Sequence, residues 1–152
     1  MRHFPTVAAT VLAVLAAACS TADKTPTTDS AASATATAGE PSVTITAPAD
    51  GDSVSLPFTV RLEAHGVEVV PATGTVEPGK GHHHLAIDGD APSDSMPLPA
   101  APVVIHMGNG ATEKVIDSLS PGSHRIIAIF ASGDHVPMTT VKRDTITVIV
   151  RK

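Results

Sequence analysis

The residues with the clearest chemistry in this chain are three consecutive histidines inside a strand-like run, residues 81–88 (GHHHLAID). Successive side chains of an extended strand point to opposite faces. His82 and His84 therefore share one face, whereas His83 shares the other face with Leu85. Two imidazoles two residues apart on a strand supply half of a metal site. We predict that His82 and His84 bind a metal ion, and that His83 is a buried structural residue with a backbone partner.

Later histidines and a methionine are candidates for the other half of the site. His106 ends an apolar run just before a Gly-Asn-Gly turn, and His135 and Met138 lie in a loop that follows Gly133. Imidazole suits copper, zinc and nickel, and a thioether favours Cu(I). Asp134 is expected to accept a hydrogen bond from a ligand imidazole. The pattern predicts one copper site, with zinc as the second choice, whose ligands are His82, His84, His106, His135 and Met138.

Each of these residues also has a simpler interpretation. The imidazoles of the strand could be surface groups hydrogen-bonded to water, and the loop around His135 could be an ordinary exposed loop. Met107 is expected to fill the core, the commoner role of methionine. His124 opens a strand after a Pro-Gly turn, and it could be a ligand, a structural residue or a surface residue.

The N-terminal residues indicate export, and the single cysteine indicates an anchor. A short basic start precedes an apolar run, residues 7–18, that is too short to span a bilayer. The following Ala-Ala-Ala-Cys19 resembles the lipobox of bacterial lipoproteins, with Ala16 where Leu is preferred. We predict a signal peptide over residues 1–18 and a lipid on Cys19. The alternative is a secreted protein cut after Ala18 that keeps a free thiol.

The cysteine count and the composition exclude several classes of site and partner. One cysteine cannot form an intrachain disulfide, an iron–sulfur cluster, a zinc finger or a covalent haem attachment. The chain has no Trp or Tyr and a net charge of −5, which argues against binding of sugars and nucleic acid. The expected partners are a metal ion and a membrane reached through the lipid, and the sequence identifies no protein partner.

Composition divides the chain into three segments. Residues 1–18 form the signal peptide, and residues 19–40 form the lipidated cysteine and a flexible tether without large apolar side chains. Residues 41–152 have the length of one domain. This arrangement predicts a lipid-anchored protein of the cell envelope that faces the periplasm or the exterior.

Recurrent Pro and Gly leave room for few helices in the domain. The β-branched runs between them predict an all-β fold, an immunoglobulin-like antiparallel β-sandwich of about seven strands. The runs are residues 43–47, 58–64, 83–88, 103–107, 113–116, 124–131 and 145–150. A long Pro-rich surface loop is expected over residues 89–102. The expected core consists of Val43, Ile45, Phe58, Val60, Leu62, Leu85, Ile87, Ile105, Ile127, Ile129, Ile146, Val148 and Val150. Both faces of the run 124–131 are apolar, so Ile126, Ala128 and Phe130 are the alternative to Ile127 and Ile129.

Three segments resemble a bacterial lipoprotein family known as domain of unknown function 4399. They are residues 48–54 (PADGDSV), 78–88 (PGKGHHHLAID) and 105–113 (IHMGNGATE), and weaker similarities follow at 119–124 (LSPGSH) and 133–138 (GDHVPM). The family usually carries Phe at Met107, Gln at Ala111 and His at Met138. The resemblance supports the domain limits and export, and it implies no activity.

Three functions are compatible with these features. The first is an exported protein that binds copper, or less readily zinc, and buffers or delivers it. The alternative is a structural or interaction module of the envelope with incidental histidines. A zinc-dependent hydrolytic enzyme ranks third, because no pattern such as H-E-x-x-H is present. We therefore expect a protein that is not an enzyme.

Overall fold

The computed structural model describes residues 39–90, 92–99 and 104–152. The predicted signal peptide, Cys19 and most of the predicted tether lie outside the described residues. Within them the chain is all-β and each of the seven expected runs forms a strand, which confirms the fold class. No helix long and apolar enough to cross a membrane occurs in this described part. The strands are β1 Ser42–Ala47, β2 Ser53–Val54, β3 Phe58–His65, β4 Glu68–Val69, β5 Lys80–Ile87, β6 Val104–His106, β7 Glu113–Ile116, β8 Gly122–Ala131 and β9 Asp144–Val150.

The strands form two sheets of unequal size. The first sheet has the order β1-β3-β7, and the second has the order β2-β9-β8-β5-β4 with β6 also paired to β5. The long strands pair antiparallel, as expected. The two-residue strands β2 and β4 pair parallel with β9 and β5, which the sequence did not indicate because two residues carry no period.

The main core lies between the two sheets, and one choice of core face was wrong. Ile126 and Ala128 of β8 pack into the main core, whereas Ile127 and Ile129 point to the other side of the second sheet. The register explains this result, because Leu85 pairs with Ala128 and partners across a ladder share a face. The main core consists of Val43, Ile45, Val60, Leu62, Leu85, Met107, Ile116, Ile126, Ala128, Ile146 and Val148.

The far side of the second sheet carries a second apolar cluster, which we call the outer layer. It contains Ala86, Leu98, Val104, Ile127, Ile129 and Ala131. Leu98 comes from the predicted Pro-rich loop, and its backbone N–H donates to the carbonyl of His135 at 2.9 Å. An ion pair between Asp94 and Arg143 also fastens this loop. Strands β5 and β8 are therefore buried on both faces.

Candidate metal centre

Strand β5 supplies two of the predicted ligands from its buried outer face. His82 is 0% exposed and His84 is 2% exposed. Their partners on β8 are Ala131 and Ile129, so the two imidazoles lie on the same face as the outer layer. Alternation along the strand predicted this shared face, and it directs both rings to one side of the sheet.

Strand β6 brings a third histidine to the same place. His106 is the Cα partner of His84 in the antiparallel pairing of β5 and β6. Because residues directly opposite each other share a face, the His106 ring lies beside the ring of His84, with centroids 4.9 Å apart. His106 is exposed, in contrast to the two histidines of β5.

A tight turn after β8 positions the fourth histidine. His135 adopts a positive φ of 70°, which is uncommon for a residue other than glycine. Its N–H donates to the Ser132 carbonyl at 2.9 Å, and its own carbonyl accepts from Leu98. Backbone conformations of this kind cost about 1–3 kcal/mol and concentrate at functional sites. The turn therefore holds His135 in a conformation that an unconstrained loop would rarely adopt.

The expected role of Asp134 was wrong. Its Oδ1 accepts hydrogen bonds from the Ser132 hydroxyl at 2.5 Å and from the Val136 N–H at 3.4 Å. The hydrogen bond from Ser132 is the main reason why the pKa of Asp134 lies below its ordinary value. Asp134 thus stabilises the turn that carries His135 and does not orient a ligand ring.

The four imidazoles converge, and we call His82, His84, His106 and His135 the histidine centre. The Nε2 atoms of His82 and His84 lie 2.9 Å apart, and those of His106 and His135 lie 3.1 Å apart. The ring centroid of His82 lies 5.0 Å from that of His106 and 4.9 Å from that of His135. Ring nitrogens of His82, His106 and His135 all lie within 4.8 Å of one another. These three side chains could hold a metal ion.

The histidines of β5 are neutral at physiological pH. Burial, together with the nearby imidazoles of His106 and His135, lowers the pKa of His82 to about 4. Burial, with His82 as the next cause, lowers the pKa of His84 to about 3. The pKa of His106 also lies below 6.5, mainly through burial. Neutral imidazole is the form that binds metal ions, so His82 and His84 can coordinate without losing a proton.

Several buried ring nitrogens have no hydrogen-bond partner among the described residues. They are Nδ1 of His82 and His84 and both ring nitrogens of His83. Unpaired buried polar atoms are costly and rare in native proteins. His83 is buried, as expected, with its ring 5.3 Å from that of Phe130, but the expected partner for its side chain is missing. The second sheet therefore carries an energetic cost around these histidines.

The two methionines considered from the sequence occupy different positions. Met107 is 3% exposed and belongs to the main core, as expected. Met138 is half-buried in the loop after His135, where its N–H donates to the Phe130 carbonyl at 2.9 Å. Its role as a soft ligand stays a prediction.

His124 takes part in a second constellation, which sequence reasoning did not identify. Its Nδ1 lies 2.6 Å from Oδ2 of Asp88, and its Nε2 lies 2.7 Å from the Ser120 carbonyl oxygen. Both ring nitrogens face oxygen acceptors and must donate, so the ring is an imidazolium. The hydrogen bond to Asp88 is accordingly the main cause that raises the pKa of His124. We call this arrangement the His124–Asp88 pair.

Ser120, His124 and Asp88 are the residue types of a catalytic triad with a serine nucleophile, but His124 cannot act as the general base here. The Ser120 hydroxyl lies 3.4 Å from Nε2 of His124. A general base must accept the hydroxyl proton at that nitrogen. Because Nε2 already donates to a carbonyl oxygen, it has no lone pair for the proton. The pair is therefore a structural link between the end of β5 and the start of β8.

Comparisons with known proteins place the chain in a family. No curated protein matches it. Among solved structures, fibronectin(III)-like modules of Clostridium thermocellum CbhA match with 18% identity and a TM-score of 0.44, over 74% of this chain and 47% of that chain. An engineered protein matches with 18% identity and a TM-score of 0.43, over 76% of this chain and 21% of that chain. The chain thus spans about half or less of the length of these structures.

The family model described as a domain of unknown function (DUF4399) matches residues 60–151, a stretch that includes all four members of the histidine centre. This match confirms the resemblance to domain of unknown function 4399. The chain therefore belongs to the DUF4399 family.

Proposed function

We propose that this protein is an exported, lipid-anchored, metal-binding protein of the cell envelope that buffers or delivers copper, with zinc as the second ion. The observation that supports the proposal most is the convergence of imidazoles from three separate elements, with ring nitrogens of His82, His106 and His135 within 4.8 Å of one another. Three ligands with nitrogen donors are enough to bind Cu or Zn in proteins.

The charge of the centre favours copper in its monovalent state. The donors are imidazoles, which supply no negative charge, and Oδ1 of the nearby Asp134 accepts from Ser132 and Val136. Placing charge beside the buried rings of His82 and His84 without a compensating anion costs free energy, and the cost rises with the charge of the ion. The free-energy cost is therefore lower for Cu(I) than for Zn(II) or Cu(II). A thioether from Met138 would add to this preference.

The carboxylates near the histidines argue for binding over hydrolysis. A hydrolytic zinc site would need a general base within reach. Asp88 is engaged by His124, and Asp134 is engaged by Ser132. Glu113 forms an exposed ion pair with Arg61 at 3.3 Å. Each of these three carboxylates is thus engaged by another side chain, and among the described residues none of them hydrogen-bonds a ring of the histidine centre.

The anchor is proposed from the sequence, because Cys19 follows a run of small residues at the end of an apolar segment. Replacing Cys19 by Ser should release the protein from the membrane fraction, since the apolar run is too short to hold it. The measurement is detergent phase partitioning of both proteins. Mature wild-type protein in the aqueous phase would contradict lipidation.

Metal titration of the mature protein tests the ion-binding proposal. Elemental analysis followed by titration with Cu(I) and Zn(II) near neutral pH should show one ion per chain, with tighter binding of Cu(I). His106→Ala should weaken binding. His65→Ala should serve as the matched control, since His65 is exposed and its side chain forms an ion pair with Glu63 at 3.8 Å, apart from the histidine centre. Affinity should hold as pH falls through 6 and should decrease only as pH approaches about 4, the lowered pKa of His82, because a protonated imidazole does not bind the ion. Absence of binding would favour the alternative, an envelope module with incidental histidines.

A further inference from the structure

The ring of His106 requires a structural contact that fixes its orientation. The other histidines of the centre are held by burial or by a constrained turn, whereas His106 is exposed at the end of a three-residue strand. An exposed side chain samples several rotamers and loses entropy when it is fixed. Yet its Nε2 lies 3.1 Å from Nε2 of His135.

The ring of His106 packs directly onto the backbone of Gly108. A Cβ built on Gly108 would overlap Cε1 and Nε2 of His106, well inside the 3.0 Å that real Cβ atoms keep from other atoms. Nε2 is the same atom that faces His135. The imidazole thus occupies the space that any other residue at position 108 would fill with its side chain.

The backbone of Gly108 is fixed on both sides. Its carbonyl accepts from the Ala72 N–H at 2.8 Å, and the preceding Met107 N–H donates to the His83 carbonyl at 3.1 Å. The following turn is closed by a hydrogen bond from the Gly110 N–H to the Met107 carbonyl at 3.2 Å. A side chain at position 108 could therefore be accommodated only if the ring of His106 moved.

Backbone conformation does not explain the glycine at this position. Gly110 has a φ of +76°, which disfavours any L side chain, but Gly108 lies outside the left-handed region. Alanine at position 108 would be compatible with the backbone, and its conflict is with the His106 ring. The need for glycine at position 108 thus comes from the histidine centre.

We propose that Gly108 is a positioning residue of the metal centre: its bare backbone is the platform that holds the His106 imidazole towards His82 and His135. The proposal rests on the proposed metal binding. In that site Gly108 would orient the ring of a ligand, His106, without itself being a ligand.

A double-mutant cycle on the mature protein tests the proposal with Cu(I) and Zn(II). Gly108→Ala should lower the affinity for both ions by roughly 10- to 100-fold, the range seen when a group that orients a ligand is lost. In a His106→Ala background the same substitution should have no further effect on affinity. Gly110→Ala is the matched control, since it strains the same turn and should lower the melting temperature with little loss of affinity. Wild-type affinity in Gly108→Ala, or an additive loss in the double variant, would overturn the proposal.

A measurement without metal separates this inference from the proposed function. In the metal-free protein, nuclear Overhauser effects should connect the Hα atoms of Gly108 with Hε1 of His106, and the rings of His106 and His135 with each other. The contact between the two rings should be lost in Gly108→Ala. If these effects are present and no ion binds, the proposed function fails and the positioning role remains. If they are absent from the wild-type protein, the positioning role fails whatever the metal data show.

Discussion

The histidine centre and the His124–Asp88 pair use the same side chain in opposite charge states. In the centre, burial lowers the pKa of His82 to about 4 and that of His84 to about 3. His124 is also buried, at 6% exposure, yet the pKa of this ring is raised. The difference cannot come from burial alone.

The partners of each ring decide its charge. In the centre the neighbouring rings are other imidazoles, which disfavour a second positive charge, and Oδ1 of the nearby Asp134 accepts from the Ser132 hydroxyl. His124 has an anion at Nδ1 and a carbonyl at Nε2, and both stabilise the charged ring. A cluster of histidines whose ring lone pairs are not used by oxygen partners is suited to bind a cation, whereas a histidine between two oxygen acceptors is suited to link two strands.

Acidification should separate the two regions most strongly. Between pH 6.5 and the folded-state values of about 3 to 4, the unfolded chain binds more protons at His82, His83 and His84 than the folded chain does, so stability falls as pH falls. Each group contributes up to about 1.4 kcal/mol per pH unit. Thermal unfolding of the metal-free protein should show a steep drop in melting temperature between roughly pH 6.5 and 5.

His83→Leu sharpens this test, because it puts an apolar side chain into the main core in place of a neutral imidazole. The number of protons taken up on unfolding, which sets how steeply the free energy of unfolding changes with pH, should then decrease by about one. The contribution of His124 has the opposite sign: it is fully present below pH 6.5 and is lost as pH rises through its raised pKa. A melting temperature that does not change with acidification would refute neutral burial of the three histidines of β5.

Removing one ring from each region should affect different properties. His82→Ala should weaken ion binding by roughly 100-fold, at least as much as loss of an orienting group. His124→Gln should leave the affinity unchanged and lower the melting temperature. Isothermal titration and thermal unfolding of both variants measure the two effects. Equal affinities of His82→Ala and wild-type protein would show that the rings converge without binding an ion.

The His124–Asp88 pair should be broken most cleanly by Asp88→Asn. Asparagine keeps the shape and tolerates the φ of 59° at this position, but it removes the charge. The free energy of unfolding should fall by about 1.5–3 kcal/mol near pH 6, as for hydrogen bonds to charged groups. The loss should shrink at pH values above the raised pKa of His124. Asp90→Asn, at a fully exposed carboxylate 3.4 Å from Arg125, is the control and should have little effect.

The smallest effect is expected at Met138, and it concerns the type of ion. Met138→Ala should lower the affinity for Cu(I) several-fold and leave the affinity for Zn(II) nearly unchanged, because the softness of the thioether favours only Cu(I). Competition titrations with both ions provide the comparison. Equal losses for the two ions would indicate a packing role for this side chain.

Local pattern predicted the strands and one half of the site. A period of two identified β5 and placed His82 and His84 on one face, and Gly and Pro marked the ends of the seven long runs. The same pattern could not choose a face for β8, because Ile126 to Phe130 are apolar on both sides. Only the pairing of Leu85 with Ala128 made that choice, and it sent Ile127 and Ile129 to the outer layer.

The sequence by itself determined the fold class, the family and the candidate ligands, since these depend on residue types and on a short-range period. Tertiary structure decided which candidates meet. His106 reaches His84 through the register of β5 and β6, and His135 through a turn closed by Ser132 and Leu98. It also decided charge: Asp88 is far from His124 along the chain and adjacent to it in space. Charge state and convergence depend on distances between residues remote in sequence, and only the folded chain fixes those distances.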